Sequence, residues 1–451
     1  MRADLIVRGG TVVGPAGLTA ADVALADGQI VAVEPELTGF DATEEVDARG
    51  LHVFPGGVDT HVHFNEPGRP DWETFADGSA ALAAGGYTAF VEMPLNSRPV
   101  TVDADSFDAK LEVAASTSLV DFGLWGGLVP GNLDQLEALV ERGVAGFKAF
   151  MCSSGNEDFP AVDDWTLAEG MRRLARLGSI LLVHAEDSGI LDALARSARA
   201  EGRSGIRDFL RSRPAAAELQ AIARAIFWAG ETGCRLHVVH VSTAAGARMI
   251  GEAAARGVDV SCETCPHYLL FTSADLERLG AVAKCTPPFR SAADVAGLWR
   301  GVGDGSVPMI VSDHSPTSPE NKLGDDFFQV WGGVSGCQST RRLLLAAGPA
   351  HGLDEAVIAR ATARNPARRF ELAGKGELAA GLDADLWLVD LSESGVLSRQ
   401  ELLYRNPSSL HEGQPVRGRT VRTIVRGQTV FAEGRVVSPP VGRLLRPGRA
   451  S

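Results

Sequence analysis

Two hydrophobic textures divide the chain. Near the start, apolar positions come in short runs: Leu5 to Val7, Thr11 to Val13, Val23 to Leu25 and Gln29 to Val33. Gly9-Gly10, Gly14-Pro15 and Asp27-Gly28 punctuate these runs as turn signals, so this end reads as hairpins. The same texture returns at 383–390 and 421–431, both similar to residues 4–13. Matching β-rich ends predict one small β-sandwich domain built from both termini, residues 1–50 with 367–437. From Ser438 the chain is rich in Pro, Gly and Arg, which predicts a mobile or partner-contacting extension over 438–451.

Residues 51–366 differ. Short apolar runs alternate with stretches rich in Ala, Leu, Glu and Arg. The runs predict strands at 51–63, 88–93, 120–128, 144–151, 179–184, 235–241, 258–263 and 307–313. Between them the pattern predicts helices at 72–84, 133–142, 167–177, 215–231, 244–256 and 292–300. Eight strands alternating with helices are the α/β pattern of a (β/α)8 TIM-like barrel. A doubly wound open sheet is the alternative, but no Gly-x-Gly-x-x-Gly follows a first strand.

A barrel places its chemistry at the C-terminal ends of its strands. His61 and His63 close the first strand, and their spacing of two puts both rings on one face. Taken alone, such a pair is equally well two core histidines satisfied by hydrogen bonds. His184 ends the fifth strand, His240 the sixth and Asp313 the eighth, while Lys148 lies in the fourth. Four imidazoles, an amine and a carboxylate meeting at one mouth predict a metal site. An ammonium group has no lone pair to offer a metal. A desolvated lysine becomes a neutral nucleophile that can add carbon dioxide and turn into a carbamate; on residue type alone, a lysine snorkelling or paired with an acid fits equally.

Composition narrows the partners. The 451 residues are 45% hydrophobic and 22% charged, within the ordinary range for a globular protein, and exceed what one core organises. A net charge of −14 argues against nucleic acid or an anionic membrane as partner. No apolar run approaches the ~20 residues of a bilayer span. Six scattered cysteines suit reduced thiols, so a cytoplasmic location is expected.

Several segments together resemble the cyclic amidohydrolases of the urease-related amidohydrolase superfamily. They are residues 57–69, 92–101, 146–151, 262–268, 284–290, 312–316 and 331–336, and the similarity runs from the opening strands to Val389. The resemblance implies that His61, His63, Lys148, His184, His240 and Asp313 hold two divalent cations. It implies that Lys148 is carboxylated and bridges them, and that Asp313 is also the general base for a hydroxide shared by the pair. Zinc is the first expectation, although the donor set suits cobalt, manganese and nickel as well. The implied reaction is hydrolytic ring opening of a small cyclic ureide, in a homotetramer. A non-catalytic scaffold on the same fold is the contrasting reading; retention of all six ligands speaks for the enzyme.

Finer positions separate the branches of the family. Asn65 stands where dihydroorotases carry an arginine that clamps a substrate carboxylate, which favours a neutral ring. Ser153 stands where dihydropyrimidinases and hydantoinases carry a tyrosine. Asn96 and Ser315 are candidate hydrogen-bonding partners of the ureide, with a turn-forming role before Pro99 as the other reading of Asn96. Trp331 walls the pocket or packs beneath its loop. His237 and His314 point away from the ligand faces and read as supporting residues, while His267 has either role. Glu66 and Arg69 form a candidate ion pair, and Cys262 with Cys265 lacks the second pair that a structural zinc site needs.

Overall fold

The computed structural model describes residues 2–448. Each of the eight predicted strand segments contains a strand, and all run parallel in two sheets. Gly57–Val62, Tyr87–Glu92 and Asp121–Leu124 form one. Gly126–Gly127, Phe147–Phe150, Ile180–His184, Arg235–Val238, Val260–Thr264 and Met309–Ile310 form the other. Backbone bonds join the two at both margins, from Ala145 N to Leu124 O (2.8 Å) and from His63 N to His314 O (2.8 Å). Almost every strand residue is buried, as expected of parallel strands covered on both faces.

Helices alternate with these strands and carry the expected signals. Asp163 accepts from Thr166 N and starts Asp164–Arg176, whose buried stripe is Leu167, Met171 and Leu174. Ala104–Thr117, absent from the predicted set, starts at a reciprocal capping box between Asp103 and Ser106. No helix among the described residues is long and apolar enough to cross a membrane.

The terminal segments share one nine-stranded mixed sheet. His52–Pro55 joins its halves, running parallel to Arg2–Gly14 and antiparallel to Leu386–Val396. The predicted strand 51–63 is therefore two strands, one in each architecture, broken at Gly56-Gly57. A Cβ on Gly56 would run into the Thr88 side chain, and one on Gly57 would lie 2.5 Å from the Tyr87 ring. Only glycine permits this change of sheet. Asp27-Gly28 is the turn predicted, with φ of 52° and 78°. Gly9-Gly10 is not a turn: it lies inside Arg2–Gly14, where the register shifts past a bulge.

The C-terminal segment differs from its expectation. Instead of projecting as a mobile extension, it runs along the strand Asp121–Leu124, with Phe122 N donating to Arg443 O and Leu445 N to Phe122 O. Leu445 is buried. Residues 449–451 of the predicted extension lie outside the described residues.

A buried ion cluster locks the two architectures together. Lys375 Nζ lies 2.6 Å from Asp121 Oδ2 and 2.8 Å from both Asp383 Oδ2 and Asp385 Oδ2. Arg426 also contacts Asp121. Lys375→Met would strand three buried carboxylates with one remaining cation, so we expect a loss of about 3–5 kcal/mol of stability. Chemical denaturation tests this, and an unchanged unfolding midpoint would contradict it.

Candidate active site

All six predicted ligands are buried at one end of the parallel strands. His61 is in the first strand, and His63 follows its last residue Val62. His184 ends Ile180–His184, and Lys148 sits within Phe147–Phe150. His240 and Asp313 lie just beyond Arg235–Val238 and Met309–Ile310. The last strand is shorter than predicted, because only Met309 and Ile310 have a paired neighbour in Val260–Thr264.

Five of the six line one cavity: His61, His63, His184, His240 and Asp313. Asp313 Oδ1 lies 3.2 Å from His61 Nε2 and 3.8 Å from His63 Nε2. His184 Nδ1 lies 3.0 Å from His240 Nε2. The sixth, Lys148, is buried below them with no hydrogen-bond partner on its Nζ, 5.1 Å from the Phe150 ring centre.

Two carboxylates set which ring nitrogens face the cavity. Glu263 Oε1 is 2.5 Å from His61 Nδ1, and its other oxygen is 3.1 Å from His237 Nε2. Glu186 Oε2 is 2.9 Å from His184 Nε2 and is itself held by Arg213. An ionised carboxylate accepts from one ring nitrogen and leaves a lone pair on the other; Arg213 keeps Glu186 ionised, while burial raises the Glu263 carboxyl to about 8. His184 Nδ1 is freed in this way, and His61 Nε2 when Glu263 is ionised. His63 Nδ1 lies 3.4 Å from Asn96 Nδ2, and its Nε2 faces Asp313 Oδ1 at 3.8 Å.

Electrostatics keep the imidazoles neutral. Burial, helped by the Lys148 charge, lowers the pKa of His61, His63 and His184, with His63 at about 3. Burial also draws the Lys148 amine down to about 8, against the pull of Glu263 and Asp313. It pushes the Asp313 carboxyl up to about 8, despite Lys148 and with Glu263 and Asp59 adding to the rise. Against the same upward push of burial, Arg213 holds Glu186 at about 2.

The backbone is strained at the same place. His240 (φ 39°), Asp313 (46°), Asn65 (60°) and Asn96 (75°) are four of the eight non-glycine residues with positive φ among those described. Such residues persist where the surrounding structure over-determines them, and here they lie at or beside the candidate ligands.

This donor set suits divalent cations. His61 Nε2 and His63 Nε2 face the Asp313 carboxylate, and the unpartnered Lys148 amine lies among groups that feel its charge. His61, His63 and Asp313 have ligand atoms mutually within 4.8 Å.

The remaining sequence candidates divide. Asn96, Ser315 and Trp331 line the cavity, and Asn96 combines a left-handed turn with its contact to His63. Trp331 also packs edge-on against Trp72 at 4.7 Å, and its indole N–H has no partner. Asn65 is turned away, its amide donating to the His63 carbonyl at 3.1 Å. His237 supports Glu263, and His314 accepts from Gly336 N at 3.2 Å and lies 3.5 Å from Glu73. Glu66 and Arg69 form no ion pair among the described residues. Glu66 accepts from Phe75 N, and Arg69 stacks on Trp72 at 4.4 Å. All six cysteines are free and buried.

Glu263 and Glu186 were missed in the sequence. The available signal was a carboxylate inside an apolar strand, Val260–Thr264, where an acid is tolerated only with a partner. Glu263→Gln would leave His61 without its anionic acceptor, so we expect metal affinity to fall about 10–100-fold. Competition with a chelator measures this, and unchanged affinity would remove Glu263 from the positioning role.

Residues 52–430 match the Amidohydrolase family. Among curated proteins, an allantoinase of Rubrobacter xylanophilus is 57% identical over 99% of this chain and 98% of its own length. An allantoinase of Deinococcus radiodurans is 48% identical over 99% of each chain. Among solved structures, the L-hydantoinase (dihydropyrimidinase) of Arthrobacter aurescens superposes with a TM-score of 0.95 at 34% identity, covering 98% of this chain and 100% of its own. With the site geometry and these likenesses agreeing, the chain belongs to the amidohydrolase family.

Proposed function

We propose that this protein is a metal-dependent cyclic amidohydrolase that hydrolyses the hydantoin ring of allantoin to allantoate. The observation that carries the reading is the cluster of His61, His63 and Asp313 beside the His184–His240 pair, with His61 and His184 held from behind by Glu263 and Glu186, in a chain 57% identical to an allantoinase. In this reading His61, His63, His184, His240, Asp313 and a carboxylated Lys148 hold two divalent cations, zinc by preference. Burial lowers the Lys148 pKa to about 8, which raises the share of neutral amine able to add carbon dioxide. When bound, such cations polarise the ring carbonyl and acidify an attacking water.

The chain's own groups supply the rest. Asp313 takes the proton as the water oxygen bonds to the ring carbonyl carbon, and delivers it to the ring nitrogen as the C–N bond breaks. Products are a free ureide N–H and a carboxylate, whose acid proton, the second one from the water, is released to solvent. Asn96, Ser315 and the unpartnered Trp331 indole N–H orient the neutral ring. Ser153 is exposed, so the position that carries a phenol in hydantoinases offers nothing to the cavity.

For the fold, we read the two parallel sheets as arcs of one (β/α)8 barrel over 51–366. The Val62–His314 bridge and the Ala145–Leu124 bond support that closure. We read the terminal strands, 1–50 with 367–437, as a small β-sandwich domain. The expected assembly is a homotetramer, and six free thiols fit a cytoplasmic location.

Ring opening of allantoin, hydantoin, dihydrouracil and dihydroorotate on one metal-replete preparation tests the substrate. Allantoin is expected to have the highest kcat/KM. A higher value for any other ring would reassign the substrate, and no turnover of any would overturn the hydrolase reading.

A further inference from the structure

Asp313 also belongs to a second group of ligand atoms. Cys265 Sγ, a ring nitrogen of His267 and an Asp313 carboxylate oxygen are all within 4.8 Å of one another. We propose that Cys265, His267 and Asp313 form a third cation site, selective for a soft divalent ion such as cadmium or excess zinc, whose filling inhibits the enzyme by withdrawing Asp313. The inhibition rests on the hydrolase reading; the binding does not.

His267 is the observation that points to a ligand. Its ring is fully buried, yet neither Nδ1 nor Nε2 has a hydrogen-bond partner. A buried polar atom left unpaired costs about 1–3 kcal/mol, and native structures rarely keep one without a reason. Its ring neighbours are Tyr268 at 4.3 Å and Phe289 at 6.1 Å, which hold the ring but satisfy neither nitrogen.

Local chain geometry brings the thiol alongside. Cys265 is the residue before the short helix Pro266–Leu270, and His267 is in that helix's first turn. Both are therefore fixed by one rigid segment. A thiol with an imidazole and a carboxylate is a donor set for zinc and cadmium, whereas the catalytic set of imidazoles and carboxylates contains no sulfur. On binding, Cys265 Sγ forms the bond to the ion and releases its proton to solvent. Asp313 is the shared member. An oxygen committed to the third ion is drawn from His61 Nε2, 3.2 Å away, and from the water it would deprotonate.

The site is tested on the metal-replete enzyme by titration with cadmium chloride. We read the total metal per chain after desalting, the ultraviolet thiolate-to-cadmium absorption, and turnover. Wild type is expected to gain one cadmium above its resident metal, with the absorption band rising and activity falling together. Cys265→Ser should lose the band and the extra ion while keeping the resident metal. His267→Gln keeps the thiol and should weaken cadmium binding by about tenfold or more. A band that survives in Cys265→Ser, or disappears only in Cys285→Ser, overturns the site. So does unchanged affinity in His267→Gln, or cadmium that merely exchanges with resident metal and leaves the total constant. Because the extra ion and the band are read without substrate, they stand or fall separately from the allantoin assignment.

Discussion

Asp313→Asn is expected to fold normally and to lose about 10²–10⁴-fold in kcat for ring opening. The substitution is isosteric, and the position's left-handed backbone (φ 46°) is one that asparagine adopts readily. Shape near His61 and His63 is therefore kept. What disappears is the ability to take a proton from water and pass it to the leaving nitrogen, because an amide oxygen is a far weaker base than a carboxylate. Turnover at saturating substrate, with circular dichroism and metal content as controls, makes the measurement. Near-normal turnover would remove Asp313 from the base role. Lost metal in that variant would assign the defect to ligation instead.

Lys148→Ala is expected to have the larger effect on metal. The side chain arises from a buried strand, Phe147–Phe150, and its amine sits unpartnered among groups that feel its charge. As a carbamate it would bring an anion into a set otherwise containing four neutral imidazoles and Asp313. Removing it leaves two cations facing too little negative charge, so both metal content and turnover should collapse. Truncation also opens a channel the length of the lysine arm. Short carboxylic acids such as acetate or propionate can occupy it and present a carboxylate at its end, so partial recovery of activity is expected with either. Metal analysis by mass spectrometry decides the matter. Unchanged metal content in Lys148→Ala would contradict the bridging role.

How much of this was legible depended on the range of the interaction. The candidate ligands sit at the ends of apolar runs, and a parallel α/β architecture brings such ends together, so local pattern was enough to pick out His61, His184, His240 and Asp313, which line one cavity. The residues that orient them were hidden, because Glu263 acts on His61 across 202 positions of sequence. Nothing near Glu263 marks it as that partner. Sequence proximity misled in the opposite direction for Glu66 and Arg69, since Trp72 offers the guanidinium a face and Phe75 N takes the carboxylate. The break of 51–63 at Gly56 follows from contacts with Tyr87 and Thr88, which lie on the next strand. The docking of 438–448 likewise depends on Phe122, a strand whose free edge no local pattern announces.

X-ray diffraction at the absorption edge of the bound metal tests the central claim most directly. Two anomalous peaks are expected in the cavity. One should lie against His61 Nε2 and His63 Nε2, the other between His184 Nδ1 and His240 Nε2, with continuous density from Lys148 Nζ to both. A single peak, or a pair out of reach of Lys148 and Asp313, would contradict the binuclear site and the hydrolysis built on it.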